Sequence, residues 1–192
     1  FQYGFRRGYS TYNPLINIYS DILKNKGNFT YLIAAFLDIS QAYDNVNLDI
    51  LYEKLISSKI DSKISKIIYN LLTNNTLYVN YNNTFYGPKQ KNKGLTQGGI
   101  LSPLLYLIYT NLIYLSISHH TKILEFADDM VIYTTDKKLD IARKNLQKDI
   151  DSLSETYDIL ELPVSYEKSK IMIFSRHRID PNIPYLFLKD KP

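Results

Sequence analysis

Three acidic side chains stand where an ionised group is costly. Asp38 follows the apolar run Tyr31-Leu32-Ile33-Ala34-Ala35-Phe36-Leu37, which reads as a central strand buried on both faces. A carboxylate ending such a strand needs something to pair with it. Asp128 and Asp129 are adjacent within Phe126-Ala127-Asp128-Asp129. The flanks, 121–125 and 130–135, are rich in β-branched and aromatic residues, so the pair is predicted at the tip of a hairpin. Neighbouring carboxylates repel each other and stay ionised most readily against a cation. Taken alone, the pair is a solvated turn, because Asp is a common turn residue. The surrounding elements decide between a turn and a site.

Those elements follow in a recognisable order. Gly4-Phe5-Arg6-Arg7-Gly8-Tyr9-Ser10-Thr11 is a basic, glycine-punctuated segment. Arg6 and Arg7 suit contact with a phosphate backbone, and equally a solvated basic loop. Leu15, Ile18, Ile22 and Leu23 then repeat at helical spacing, with Ser10 or Thr11 as the N-cap. Beyond Asp38, a helix through Leu48, Leu51, Leu55 and Ile56 is capped by Asn47. A second helix follows Asp61 and gathers Ile64, Ile67, Ile68, Leu71 and Leu72 on one face. Residues 77–81 and 84–86, joined by Asn82-Asn83, form a hairpin. Lys89, Lys91 and Lys93 lead into Gly94-Leu95-Thr96-Gln97-Gly98-Gly99-Ile100-Leu101-Ser102-Pro103. Ser102 as N-cap and Pro103 in the first turn start a helix reaching about Leu115. Its apolar arc is wide enough to predict burial under the sheet. After the acidic hairpin, Asp136 caps a long helix with the stripe Leu139, Ala142, Leu146, Ile150, Leu153 and Tyr157, and Pro163 ends that region. Lys168-Ser169-Lys170 precedes the strand Ile171-Met172-Ile173-Phe174, and the tail from Arg176 is basic.

Strand, helices, hairpin, helix and strand in this order make a split βαβ pattern, with the first strand beside the hairpin. That layout brings Asp38 next to Asp128 across 90 positions of sequence (128 − 38). Two facing carboxylates can hold a pair of Mg²⁺ ions roughly 3.5–4 Å apart, the arrangement that drives in-line displacement at phosphorus. Mg²⁺ prefers a few carboxylates plus substrate phosphates to a cage made of protein alone.

Four blocks now resemble one family. Phe36-Leu37-Asp38-Ile39-Ser40-Gln41-Ala42-Tyr43-Asp44 resembles motif A of reverse transcriptases, and Gln97-Gly98-Gly99-Ile100-Leu101-Ser102-Pro103 resembles motif B. Phe126-Ala127-Asp128-Asp129 resembles motif C, and Lys168-Ser169 is similar to motif D. The segment from Gly4 to Thr11 looks like the one preceding motif A in the enzymes of non-LTR, LINE-like retrotransposons. The blocks keep the family's order over almost the whole chain, and jointly they are specific.

The resemblance implies an α+β fold: a polymerase palm with a split βαβ, ferredoxin-like core and part of the fingers, a right-hand reverse transcriptase truncated at both ends. Residues 1–35 and about 45–100 would include fingers and palm elements, while 36–44, 97–135 and 160–175 carry the palm motifs. Residues 176–192 would begin the primer-grip region, with the thumb absent. The implied activity is RNA-directed DNA polymerisation, with an RNA template, a DNA primer, dNTPs and two Mg²⁺ ions, Mn²⁺ being an alternative. Asp38 and Asp128 would carry the metals, Asp129 would support them, and the Ile39 carbonyl could complete the shell. Tyr43 with Ala42 would lie under the incoming sugar, where an aromatic ring excludes a 2′-hydroxyl; the other reading of Tyr43 is a packed core aromatic. Gln97 and Gly98 would line the nucleotide pocket, Gly98 letting the backbone approach closely. Ser102 and Pro103 serve the helix start. Lys168 would give the leaving pyrophosphate a proton or counter-charge, or is an exposed lysine. Arg6, Arg7 and Lys93 would contact nucleic acid, and Asp44 receives no metal role.

Composition agrees without deciding. The chain has 192 residues, 45% of them hydrophobic, so it can bury a core, and its net charge of +4 is compatible with a nucleic-acid partner. It has no cysteine, which excludes thiolate metal sites and disulfides. No apolar run approaches the roughly 20 residues needed to span a bilayer, and the N-terminus lacks the pattern of a signal peptide. An intracellular location is expected, nuclear for target-primed integration and otherwise cytoplasmic. Glu161 and Ser165 stand where many relatives have glycine and asparagine before the motif D lysine. Two alternatives remain: a decayed or domesticated copy that only binds nucleic acid or a partner, and another palm-type enzyme such as an RNA replicase or cyclase. Gln97-Gly98, Ser102-Pro103 and Ala127 disfavour the last. The oligomeric state is left open.

Overall fold

The computed structural model describes residues 2–28, 30–90, 93–179 and 186–189. Along the chain run α1 (Tyr12–Gly27), β1 (Tyr31–Ile39), α2 (Leu48–Ser57), α3 (Ser62–Thr73), β2 (Thr76–Tyr81), β3 (Thr84–Gln90) and α4 (Ser102–Thr110). A short 3-10 turn (Ile113–Ser116) leads to β4 (Thr121–Phe126), β5 (Asp129–Asp136), α5 (Leu139–Ile159) and β6 (Val164–Phe174). The chain divides into two units. The first joins Phe1–Ser40 with Leu112–Pro192, and the second is Gln41–Asn111.

The first unit is built on an antiparallel sheet in the order β4-β5-β1-β6. The run at 31–37 forms β1 because it is a near-continuous apolar run that can be covered on both faces, as expected, and β1 lies beside the hairpin strand β5. Alternation along β1 divides its side chains. Leu32, Ala34 and Phe36 pack with Leu124, Val131 and Tyr133, and Ile18 and Ile22 of α1 cover them. Ile33 and Ala35 face the other way, where α5 lies on β1 and β5 with Ala142, Leu146, Ile150, Leu153 and Tyr157 buried.

Several local expectations change in this unit. Leu15 and Leu23 are exposed, so only part of the α1 stripe is covered. Thr11 occupies the α1 cap without a side-chain hydrogen bond; instead Asn13 Oδ1 accepts from Ser10 N at 2.7 Å. Asp136 does not cap α5 either. Its Oδ1 accepts from Lys138 N at 2.8 Å, closing the turn before the helix. β6 already begins at Val164, so Lys168-Ser169-Lys170 lies inside the strand and not ahead of it.

In the second unit, α2 is packed against α3 and α4. Asn47 Oδ1 accepts from Asp49 N (2.9 Å) and Ile50 N (3.2 Å), satisfying two amides that the first turn leaves without partners. Asn47→Ala is therefore expected to cost about 1 kcal/mol of stability, read as a lowered urea midpoint at unchanged slope. Asp61 caps α3 in the same way. The α3 stripe is not a core face, however: Ile64, Ile67 and Leu71 are exposed and Ser65 is the buried residue. The hairpin turns at Asn82-Asn83, both at positive φ, and β3 runs on to Gln90 with every strand residue exposed. α4 ends at Thr110, short of Leu115. Leu105, Tyr106 and Tyr109 are buried while Leu104 is exposed, so it buries one face instead of all of them. Ser102 is its first residue and not its cap; its Oγ donates to Thr96 O at 2.6 Å. No helix among the described residues is long and apolar enough to cross a membrane.

Candidate active site

Register decides which acids meet. The β1–β5 ladder pairs Tyr31 with Asp136 and ends at Leu37 opposite Met130, so Asp38 and Asp129 are the residues next to its last pair. The β4–β5 ladder closes on Phe126 opposite Asp129, leaving Ala127 and Asp128 as a two-residue turn. Asp129 thus opens β5 instead of sitting at the tip, and Asp128 alone of the two acids is in the turn. Asp38 and Asp129 are close enough for their carboxylates to repel each other. A cavity of about 440 Å³ is lined by both, together with Phe36, Met130 and Lys168.

The electrostatics are those of a crowded anionic site. Burial pushes the Asp129 carboxyl above its ordinary value, and the neighbouring Asp128 and Asp38 carboxylates push the same way. Asp38 Oδ2 is a buried oxygen without a hydrogen bond. Lys168 Nζ lies 3.7 Å from it, an ion pair too long to be a hydrogen bond. Lys168 reaches it because β6 bulges. Phe36 pairs with Lys170 and Asp38 with Ser165, leaving 166–169 to span the single step at Leu37. Such a bulge re-aims side chains. Ser169 Oγ fixes it by donating to Ser165 O (2.6 Å) and accepting from Asp38 N (3.4 Å). Sequence reasoning could find Lys168 by its motif but not Ser165 and Ser169, whose role exists only through the register shift.

No three His, Cys, Asp or Glu side chains converge into a ready-made metal cage among the described residues. The donor set still fits a hard divalent cation. A buried carboxylate oxygen lacks a donor, and a second acid nearby is held back from ionising by burial and by like charge. A cation would relieve both, taking its other ligands from water or phosphate oxygens.

The remaining site residues fall in three places. Ile39, at the end of β1, pairs with Val164 and is buried. Ala42, Tyr43, Lys93, Gln97 and Gly98 belong to the second unit. There Tyr43 stacks on Tyr106 at 5.0 Å between ring centroids, and its carbonyl accepts from Leu95 N at 2.8 Å. Gln97 Nε2 donates to Asp44 Oδ2 (3.0 Å) and Lys93 Nζ to Asn45 Oδ1 (2.9 Å), so the glycine loop is tied to the segment after β1. The Asp44 partner was not legible, since Gln97 stands 53 residues away. Gly94 makes the approach work: a Cβ there would fall 2.7 Å from Asp44 O. Gly98 faces open space. Nothing lies within 4 Å of a Cβ built on it, and its φ of +80° is the reason for glycine. Arg6 and Arg7 are exposed; Arg6 Nη1 donates to Gln2 O at 3.3 Å, and its guanidinium lies over Tyr9. The primer-grip expectation falls partly on residues 180–185 and 190–192, outside the described residues.

Three comparisons bear on these geometries. The family model described as reverse transcriptase (RNA-dependent DNA polymerase) matches residues 1–188. The chain is 25% identical over 186 residues to the probable RNA-directed DNA polymerase from transposon BS of Drosophila melanogaster, covering 94% of this chain. It is also 25% identical to the RNA-directed DNA polymerase from mobile element jockey of the same species, covering 91% of this chain. It spans 20% of the length of each of those relatives. Among solved structures, apo telomerase of Candida tropicalis truncated from its C-terminal domain superposes with a TM-score of 0.65 at 20% identity, covering 85% of this chain and 35% of that one. Telomerase of Candida albicans in complex with a TWJ fragment of telomeric RNA gives a TM-score of 0.61 at 13% identity, covering 92% and 32%. These likenesses establish the right-hand reverse transcriptase fold, α+β with an antiparallel sheet.

Proposed function

This chain belongs to the reverse transcriptase (RNA-dependent DNA polymerase) family, and from that premise we propose that it transfers nucleotides from dNTPs to a primer 3′-hydroxyl on an RNA template, as the polymerase core of a longer retrotransposon protein. The observation that carries the reading is the cavity shared by Asp38 and Asp129, with an Asp38 oxygen buried and without a hydrogen bond. The RNA template is supported by the relatives' names and by a neighbour whose structure is a complex with a TWJ fragment of telomeric RNA.

Reverse transcriptases use divalent metal ions. Asp38, Asp128, Asp129 and the Ile39 carbonyl would hold them, two Mg²⁺ in this reading with Mn²⁺ as substitute. When bound, such ions neutralise phosphate charge and activate the attacking hydroxyl. Lys168, 3.7 Å from Asp38, adds a positive charge that can face the leaving pyrophosphate. Ala42, Gln97 and Gly98 would line the nucleotide, and Arg6, Arg7 and Lys93 would bind backbone phosphates. Work in the nucleus, at the DNA target, is the location this role implies.

Tyr43 would exclude ribonucleotides, its ring held in plane by Tyr106. Tyr43→Val is expected to raise rNTP over dNTP incorporation by about 10–100-fold, read as the ratio of kcat/KM values. An unchanged ratio would return Tyr43 to a packing role.

The function is tested by primer extension on poly(rA)/oligo(dT) with the full-length parent protein. Incorporation of dTTP should require Mg²⁺ or Mn²⁺ and vanish on chelation. Tight binding of primer–template without incorporation under either ion would favour a silent nucleic-acid-binding descendant.

A further inference from the structure

The turn carrying Asp128 is held from outside the hairpin. β4 is an edge strand, and the segment before α1 runs along its end. Gln2 forms a parallel bridge with Glu125, and Tyr3 N donates to Glu125 O at 2.8 Å. The Gln2 side chain then does what a neighbouring strand would do. Its Oε1 accepts from Ala127 N (3.0 Å), and its Nε2 donates to Ala127 O (3.0 Å), satisfying both backbone groups of that residue. The same Oε1 accepts from Gly4 N at 2.7 Å, and Nε2 also reaches Glu125 Oε2 at 3.3 Å.

Ala127 is the residue that needs this help. Its φ is +60°, a conformation that a residue with a side chain keeps only when its surroundings over-determine it. Gly4 closes the other side: a Cβ there would fall 2.2 Å from Ala127 N and 2.9 Å from Ala127 Cα. Only glycine lets the segment approach so closely.

We propose that Gln2 and Gly4 form a clasp that fixes the Ala127-Asp128 turn and so sets where Asp128 and Asp129 stand, making Gln2 a positioning residue for the acids. Its catalytic consequence rests on the polymerase reading above. Without the clasp, Ala127 can relax to negative φ, which rotates the peptide leading into Asp128. Misplacing a reacting group by about 1 Å costs about 10²-fold in rate, so the effect belongs to the chemical step and not to substrate binding.

The test uses the full-length parent protein and its Gln2→Ala, Gly4→Ala and Asp38→Asn variants, with hydrogen exchange and primer extension measured on each. In Gln2→Ala, exchange in the peptide covering 123–130 should accelerate at least about 10-fold while the α5 peptides stay as in wild type. For dTTP incorporation, kcat should fall by about 10–100-fold with KM within about 2-fold, a split that general destabilisation does not produce. Gly4→Ala should reproduce both results. Unchanged exchange at 123–130 in the two clasp variants overturns the clasp whatever the activity. Faster exchange with wild-type kcat overturns the positioning role. If Asp38→Asn polymerises like wild type, the polymerase reading fails and the positioning role with it, and exchange alone then decides whether the clasp exists.

Discussion

Asp38→Asn is expected to lower dNTP incorporation by the full-length parent protein at least about 10³-fold, the scale on which losing a preorganised charge at a reacting centre is felt. Asn matches Asp in size but cannot hold a divalent ion with a full negative charge. Asp129→Asn should rank next, because Asp129 shares the cavity that Asp38 lines. Asp128→Asn compares the turn position directly with it. The variant has a second signature that does not depend on activity. In the metal-free protein, Asp38→Asn removes one source of the repulsion felt by Asp129. Its Tm without divalent ions should therefore equal or exceed that of wild type, and the rise on adding Mg²⁺ should be lost. Incorporation within about 10-fold of wild type, or an undiminished Mg²⁺ effect on Tm, would sink the assignment.

The second large effect concerns Glu125, which is 8% exposed and lies behind the same turn. Burial raises its carboxyl from the ordinary 4.5 to about 7, against a smaller opposing contribution from the Gln2 amide. The sign follows from proton binding. Below pH 4.5 Glu125 is protonated both folded and unfolded and carries no penalty. Between 4.5 and about 7 the unfolded chain releases the proton while the fold retains it, so stability falls as pH rises. Above about 7 the fold holds a buried carboxylate, and the full penalty, roughly 3 kcal/mol, applies. Glu125→Gln should therefore stabilise the protein at pH 8 by up to that amount and leave it unchanged at pH 4. Urea midpoints of both proteins across this range check it, and a difference that does not vary with pH would refute it.

Local chemistry was legible in the sequence wherever a few neighbouring residues are enough. Asn47 and Asp61 cap their helices because the cap is set by a side chain and amides two and three residues away. Asn82-Asn83 turns a hairpin because Asn tolerates positive φ. The α5 stripe is buried from Ala142 to Tyr157 as its period demanded, with Leu139 half-buried. The α3 stripe has an equally clear period and yet leaves Ile64, Ile67 and Leu71 exposed, since periodicity names a face without naming what covers it. The same gap explains α4, where a continuous apolar string exposes Leu104.

The site divides along that line. By itself the sequence determined that three acids, a glycine loop and a lysine occur in polymerase order, and that Asp38 follows a buried apolar run. Those features are short strings whose residue types carry their own chemistry. Tertiary structure alone decided that Asp129 lines a cavity with Asp38, because strand side chains alternate and a register one residue different moves them to the other face. It also decided that Lys168 returns to Asp38 over a bulge, and that Gln2, 125 residues from Ala127, holds the turn. Such contacts join residues whose separation along the chain carries no trace of their distance in space.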